Sequence, residues 1–287
     1  MLTNFFRLDA PSKTVRETEI ENHFAIGNDL RDALYEPNDW PDSLSKMKGR
    51  SFQNVSLSKT SFKNVTFTNC KFVDCLFIGS DFKNVEFHNC TFTDCNLYKS
   101  NFSSCYIDPN SFIFNKIYRS THANIPVGLY QNILENSVAE KQDDFARTAD
   151  IQFRRWKRDQ LQFDHKTGKI TRKALIFRSS GNWLYENIAG YGYSPVRYAG
   201  ATILFFSAAS ILTMCVMDGK LMVGGEIASN ISFYDSLFYT YSMMTALGFS
   251  SVIPTTPDAK LYAIFLALSG IAWLGVFTSL LVKRVLK

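Results

Sequence analysis

The chain has 287 residues, 46% of them hydrophobic and 20% charged, with a formal net charge of +5 and six cysteines. That length allows about two domains at ~150 residues each, and so small a charge excess gives no argument for a nucleic-acid partner. The mean hydropathy of −0.08 averages two unlike parts: residues 1–197 are polar and rich in charge, and residues 198–287 are dominated by apolar side chains.

At the N-terminus, Met1 to Ala10 carries Arg7 and Asp9 and has no apolar core of the length a secretory signal needs. The N-terminal part is therefore expected to fold in the cytosol with its cysteines as reduced thiols. No CxxC pair occurs, so neither a zinc site nor a redox motif is signalled. Residues 1–50 are expected to cap the region beginning at Ser51, with Phe5, Phe24, Leu30, Leu34 and Trp40 supplying the packing.

Residues 51–115 have a period of five. Phe52, Leu57, Phe62, Phe67, Phe72, Phe77, Phe82, Phe87, Phe92, Leu97, Phe102 and Ile107 recur without a break. Two residues before these centres lie small or β-branched residues, among them Val55, Thr60, Val65, Cys70, Cys75, Ser80, Cys90 and Cys95. Neither the helical nor the strand period produces this pattern. A period of five closes into a square coil after four repeats. The pattern resembles the pentapeptide-repeat family, and that resemblance implies a right-handed quadrilateral β-helix with the large central residue and the small preceding one pointing inward. One coil is then twenty residues, so Cys70 is expected under Cys90 and Cys75 under Cys95. A metal or redox ladder is one reading of these cysteines. Small core residues are the expected one, because free cysteine is among the most buried residue types and no histidine is spaced to join a site. Lys59, Lys63, Lys71, Lys83 and Lys99 offset Asp74, Asp81, Glu86 and Asp94, which argues against an acidic DNA-mimicking rod. A cytosolic scaffold that binds a ligand or a protein, or packs against other subunits, is expected instead.

Residues 116–197 read as a helical connector. Pro126 suits a helix start, and Phe145, Ala149, Phe153 and Trp156 follow helical spacing through residue 163. The opposite face carries Arg154, Arg155, Lys157 and Arg158. It reads either as a surface for anionic lipid or a charged ligand, or as the solvated side of a helical hairpin. Gly190-Tyr191-Gly192-Tyr193-Ser194-Pro195-Val196-Arg197 then predicts a bend at the membrane interface, placed to transmit movement from the cytosolic part to the first span.

Tyr198 to Met217 and Leu261 to Val282 are uncharged runs of 20 and 22 residues, each long enough to cross a hydrocarbon core of about 30 Å. Ten basic residues from Arg154 to Arg197 precede the first run; Lys283, Arg284 and Lys287 follow the second; only Lys220 and Lys260 lie between. The positive-inside tendency puts both termini in the cytoplasm, as a multi-pass protein of the inner (plasma) membrane. Phe233 to Met244 is too short to span, with Ser232 as a candidate N-cap. The segment after it is expected to re-enter at membrane depth, where non-helical backbone must line water or be buried in protein.

Thr245-Ala246-Leu247-Gly248-Phe249-Ser250-Ser251, with Pro254 and Thr256 beyond it, resembles the selectivity filter of two-transmembrane potassium-type channels. Thr245, Gly248, Phe249, Pro254 and Thr256 sit where that family has Thr, Gly, an aromatic, Pro and Thr. The resemblance implies a homotetramer in the lipid bilayer, with backbone carbonyls of the filter replacing the water lost by permeating monovalent cations, K⁺ and Na⁺. It places a hinge at Gly270, to which Gly275 adds a second bend, and a cavity lined or occluded by Ser269, Trp273 and Phe277. Ser250 replaces the second filter glycine, Ala246 a threonine and Ser251 the outer aspartate, which predicts a wider and less selective pore. The Gly-Tyr-Gly bend is similar to one found in bacterial proteins that join pentapeptide repeats to such a pore.

The expected fold class is therefore mixed: a cap (1–50), a cytosolic right-handed quadrilateral β-helix (51–115), a helical connector (116–197) and an all-α two-transmembrane pore module (198–287) with a re-entrant pore helix and filter loop. The expected function is a cation channel, gated or scaffolded by the cytosolic domain. A membrane-anchored scaffold whose loop conducts nothing is the alternative. An enzyme is not expected: His23, His88, His122 and His165 are scattered, and no nucleophile–base pair, metal constellation or cofactor motif accompanies them.

Overall fold

The computed structural model describes residues 6–8, 12–27, 29–223, 225–227, 230–245 and 252–285. The chain divides into two compact units, Met1–Asn182 and Trp183–Lys287.

The first unit opens with β1 (Lys13–Val15), α1 (Glu17–Ile26), β2 (Asp29–Tyr35) and β3 (Lys46–Lys48). Short strands then succeed one another: β4 (Ser51–Ser56), β5 (Ser61–Lys63), β6 (Thr66–Thr68), β7 (Lys71–Val73), β8 (Asp81–Lys83), β9 (Glu86–His88), β10 (Thr91–Thr93), β11 (Asn101–Ser103), β12 (Tyr106–Ile107) and β13 (Phe112–Ile113). All pairings among these strands are parallel, in three sheets ordered β1-β2-β4-β7-β10-β13, β11-β8-β5 and β12-β9-β6-β3. A fourth column consists of single bridges, Ser56↔Leu76↔Asn96. Strands from β3 onward pair with one another at an offset of twenty residues, as in Phe52↔Phe72 and Phe67↔Phe87, while β2 pairs with β4 at twenty-two.

This register stacks like on like. The rings of Phe52, Phe72, Phe92 and Phe112 lie face to face at centroid distances of 4.8, 4.8 and 4.7 Å. Phe62, Phe82 and Phe102 repeat the arrangement at 4.9 and 4.8 Å. Adjacent columns meet edge to face, as Phe67 does with Phe72. Both geometries are favoured by the aromatic quadrupole. The cysteine thiols are buried and donate to carbonyls twenty-three residues earlier: Cys75 to Phe52 at 3.4 Å, Cys95 to Phe72 at 3.4 Å and Cys105 to Phe82 at 3.2 Å. Burial pushes the Cys95 and Cys105 thiols up from their ordinary range, so they stay neutral. No group of three metal-ligating side chains occurs among the described residues.

The turns between strands have a chemical signature. Asn54, Lys59, Asn64, Asn69, Asp74, Asn84, Asn89, Asp94, Lys99 and Ser104 all have φ between 52° and 60°, and Gly79 has φ 68°. The left-handed region suits Gly and is tolerated by Asn and Asp, whose short polar side chains bond locally. The residue two places after each central Phe or Leu is thus the corner residue.

The first fifty residues do more than cap. β1 and β2 extend the largest sheet, and β3 pairs with β6. Phe24, Leu30 and Trp40 are buried as expected, but Leu34 is exposed. Asp32 has φ 48° and lies level with Asn54 at φ 53° in an unbroken register (Arg31↔Gln53, Ala33↔Val55), so β2 turns where β4 turns and Leu30, Ala33 and Tyr35 are the buried residues. Phe5 lies outside the described residues.

The connector consists of α2 (Lys116–Thr121), α3 (Asn124–Ala139), α4 (Asp143–Lys166) and α5 (Arg172–Ala189). The helical stretch expected over 126–163 is formed by α3 and α4, which part where Lys141 turns left-handed with φ 55°. Asn136 on α3 satisfies the backbone just before β12: its Oδ1 accepts from Cys105 N–H at 2.9 Å and its Nδ2 donates to Cys105 O at 2.8 Å. On α4, Ala149 and Trp156 are buried. Arg154 is paired with buried Asp150 at 2.8 Å, and the Lys157 ammonium sits over the Phe153 ring.

The second unit holds the end of α5, a turn at Gly190–Gly192, α6 (Pro195–Val216), β14 (Leu221–Val223), β15 (Glu226–Ile227), α7 (Phe233–Met244), β16 (Val252–Pro254) and α8 (Pro257–Val285). The apolar lengths of α6 and α8 fit two membrane crossings, over Pro195–Val216 and Pro257–Val282. At 1.5 Å per residue the 22 residues of α6 reach about 33 Å, enough for a hydrocarbon core.

Candidate functional site

α7 is the short helix between the two long ones, and it packs against both. It starts where Ser232 accepts a hydrogen bond from Tyr234 N–H at 3.2 Å, with Asp235 in the first turn. It ends at Thr245, whose N–H and Oγ1 both bond to the carbonyl of Tyr241, at 2.9 and 2.8 Å. The negative end of the helix dipole therefore faces the segment that begins there. Ala246, Leu247, Gly248, Phe249, Ser250 and Ser251 lie outside the described residues. The chain resumes at β16, which pairs antiparallel with β14 in the register Met222↔Ile253. Two further contacts fasten that strand. Thr255 N–H and Oγ1 donate to Lys220 O at 3.0 and 2.8 Å, and Lys220 Nζ meets Asp258 Oδ2 at 2.6 Å.

The base of α7 is held by α8. Gly270 is buried against the backbone of Met244: a Cβ on Gly270 would overlap the Met244 carbonyl oxygen and fall 2.6 and 2.7 Å from its carbonyl carbon and Cα. Only glycine allows so close a backbone approach. Gly275 is different, since an added Cβ there meets nothing within 4 Å.

Among the other expected site residues, Ser269 is half-buried and Trp273 turns toward α6. The Trp273 indole donates to Thr202 Oγ1 at 2.9 Å and stacks on Phe205 at 4.9 Å, while Tyr198 Oη donates to Trp273 O at 2.7 Å. Phe277 stacks on Tyr198 at 6.0 Å. Trp273, Phe277 and Thr245 share one apolar cleft of about 460 Å³ with Tyr198, Thr202 and Phe206.

Sequence reasoning missed a polar node where three helices meet. Thr213 Oγ1 on α6 lies 3.3 Å from Thr240 Oγ1 on α7 and 3.0 Å from Tyr262 Oη on α8, and Tyr262 Oη donates to Ala209 O at 3.0 Å. Hydroxyls that find partners across helices tie them together where water is absent. The signal available was three hydroxyl residues in otherwise apolar or aromatic stretches.

Residues 190–287 match the family described as Ion channel, and residues 45–107 match Pentapeptide repeats in nine copies. The chain thus carries a region that matches pentapeptide repeats, followed by one that matches a two-transmembrane, potassium-type ion-channel domain, and its two long apolar helices fit a membrane protein. No curated protein matches it.

Proposed function

We propose that the chain is one subunit of a cation channel that conducts K⁺ and other monovalent cations through residues Thr245 to Ser251. The observation that carries this reading is the placement of α7. A capped helix too short to span lies between two spanning helices, and its carbonyl end sits on the glycine of the second one. That end favours a cation, and the carbonyls beyond it supply the ligands that replace hydration. Four copies around an axis close the pore, since identical chains close by cyclic symmetry. Gly270 then anchors the filter base besides serving as a bend, and Gly275 is free to act as the flexible point. Ser269 is left to border the inner cavity, whereas Trp273 and Phe277, turned onto α6, set the packing of the two long helices.

The repeat region is read as one right-handed quadrilateral β-helix. The constant twenty-residue register of three sheets and one bridge column supports closure into coils. It lies in the cytoplasm with both chain termini and gates or scaffolds the pore. Cation flux into proteoliposomes tests the proposal: flux is expected from the intact chain and lost in Gly248→Trp. A chain that inserts but carries no flux is the non-conducting scaffold instead.

A further inference from the structure

Helix α7 is held from the side at two places. At its end, Met244 lies against Gly270 of α8. One turn earlier, about 6 Å along the axis, Thr240 reaches Thr213 of α6, Oγ1 to Oγ1 at 3.3 Å. Thr213 Oγ1 in turn lies 3.0 Å from Tyr262 Oη of α8, which donates to Ala209 O of α6 at 3.0 Å. Each hydroxyl carries one proton, and one order serves all three links: Thr240 donates to Thr213, Thr213 to Tyr262, and Tyr262 to the carbonyl. Thr213 and Thr240 are both fully buried, where such a chain is strengthened by mutual polarisation and by the absence of water. Among the described residues, the buried Ser236 and Tyr239 hydroxyls of α7 find no partner, and Thr240 carries the hydrogen bond from this helix to the long ones.

We propose that the Thr240–Thr213 hydrogen bond is a positioning device that aims the carbonyl end of α7 at the permeating cation. A contact at Met244 alone fixes a point about which a helix can roll and tilt; a second contact one turn away restrains both motions. The last carbonyls of a helix have no partners within it and carry its negative pole, so they attract a cation only as well as the helix is aimed. Tyr262 acts one step further back, by orienting the Thr213 hydroxyl. Without it Thr213 turns to Ala209 O, already 2.9 Å away, and the tie to Thr240 survives. The inference rests on the proposed reading of Thr245 to Ser251 as the conducting path.

The test records the unitary conductance of the full-length chain in planar bilayers against K⁺ concentration. Thr240→Val and Thr213→Val keep the branched shape of threonine and remove its hydroxyl. Each is expected to raise the half-saturating K⁺ concentration several-fold while the melting temperature in detergent stays close to that of the unsubstituted chain. The double variant is expected to raise it no further, since either substitution already breaks the same bond. Thr240→Ser keeps the hydroxyl and is expected to match the unsubstituted chain, and Tyr262→Phe to shift half-saturation less than Thr240→Val does. Half-saturation unchanged in both valine variants, whatever their melting temperatures, overturns the inference. So do additive effects in the double variant, or a Thr240→Ser chain as impaired as Thr240→Val. Each of those results leaves the conduction reading standing, because current still passes. An unsubstituted chain that inserts and passes no current overturns the conduction reading, and this inference with it.

Discussion

Gly270 and Gly275 lie on one helix, yet their surroundings make opposite demands. A methyl group at Gly270 must displace the backbone of Met244, whereas at Gly275 it enters open space. Gly270→Ala is expected to destabilise the channel domain by about 1–3 kcal/mol, the usual penalty for overpacking, and to impair conduction. Gly275→Ala should be tolerated in folding, so equal melting temperatures for the two variants in detergent would contradict the account. At the corners of the repeats, Lys59 sits left-handed at φ 60° where most coils place Asn, Asp or Gly. Lys59→Asn is expected to raise stability by about 1 kcal/mol, because Asn tolerates that conformation better; an unchanged or lower denaturation midpoint would count against it. The Asn and Asp positions were visible in the sequence two places after each Phe. They went unread as corners because hydrophobic periodicity marks the centres alone.

The twenty-residue register of the repeat strands was legible because it is encoded in a local period: each Phe finds its stacking partner at a fixed offset. The partner of the Cys105 backbone was not, since Asn136 meets it from a helix thirty-one residues on, and no local pattern marks such a contact. Asn136→Leu should leave the buried Cys105 N–H unpaired and lower stability by about 1–3 kcal/mol. Near-ultraviolet circular dichroism during urea unfolding would read the loss, and no change would show that this N–H is satisfied otherwise. Burial also raises the titration of Cys105, Tyr118 and Tyr130 above their ordinary values. These groups stay protonated when folded but release protons when unfolded, at about pH 8.5 for a thiol and 10 for a phenol. Stability contributed by their neutral forms is complete below those values and falls as pH rises through and beyond them. The repeat signal should therefore melt at the same temperature at pH 7 and 8 and progressively lower above pH 9; a flat profile to pH 11 would refute this.

Across the whole chain, composition separates a charged part from an apolar part at residue 198, whereas the two compact units divide fifteen residues earlier, between Asn182 and Trp183. The spans, the short helix and its Ser232 cap were legible because each depends on nearby residues. The grip of Gly270 on Met244 and the Thr213–Thr240–Tyr262 node were not, because they join helices distant in sequence. On the proposed reading of Thr245 to Ser251 as a filter, Ser250 stands where the filters it resembles carry glycine; a non-glycine residue disfavours the left-handed backbone, which predicts fewer carbonyl sites and weaker selectivity. The most direct measurement is planar-bilayer recording of the purified chain with K⁺ on one side and Na⁺ on the other. The account predicts cation currents that reverse close to zero millivolts and vanish in Gly248→Trp. No current from inserted protein, current that survives that substitution, or a reversal potential set by K⁺ alone would contradict it.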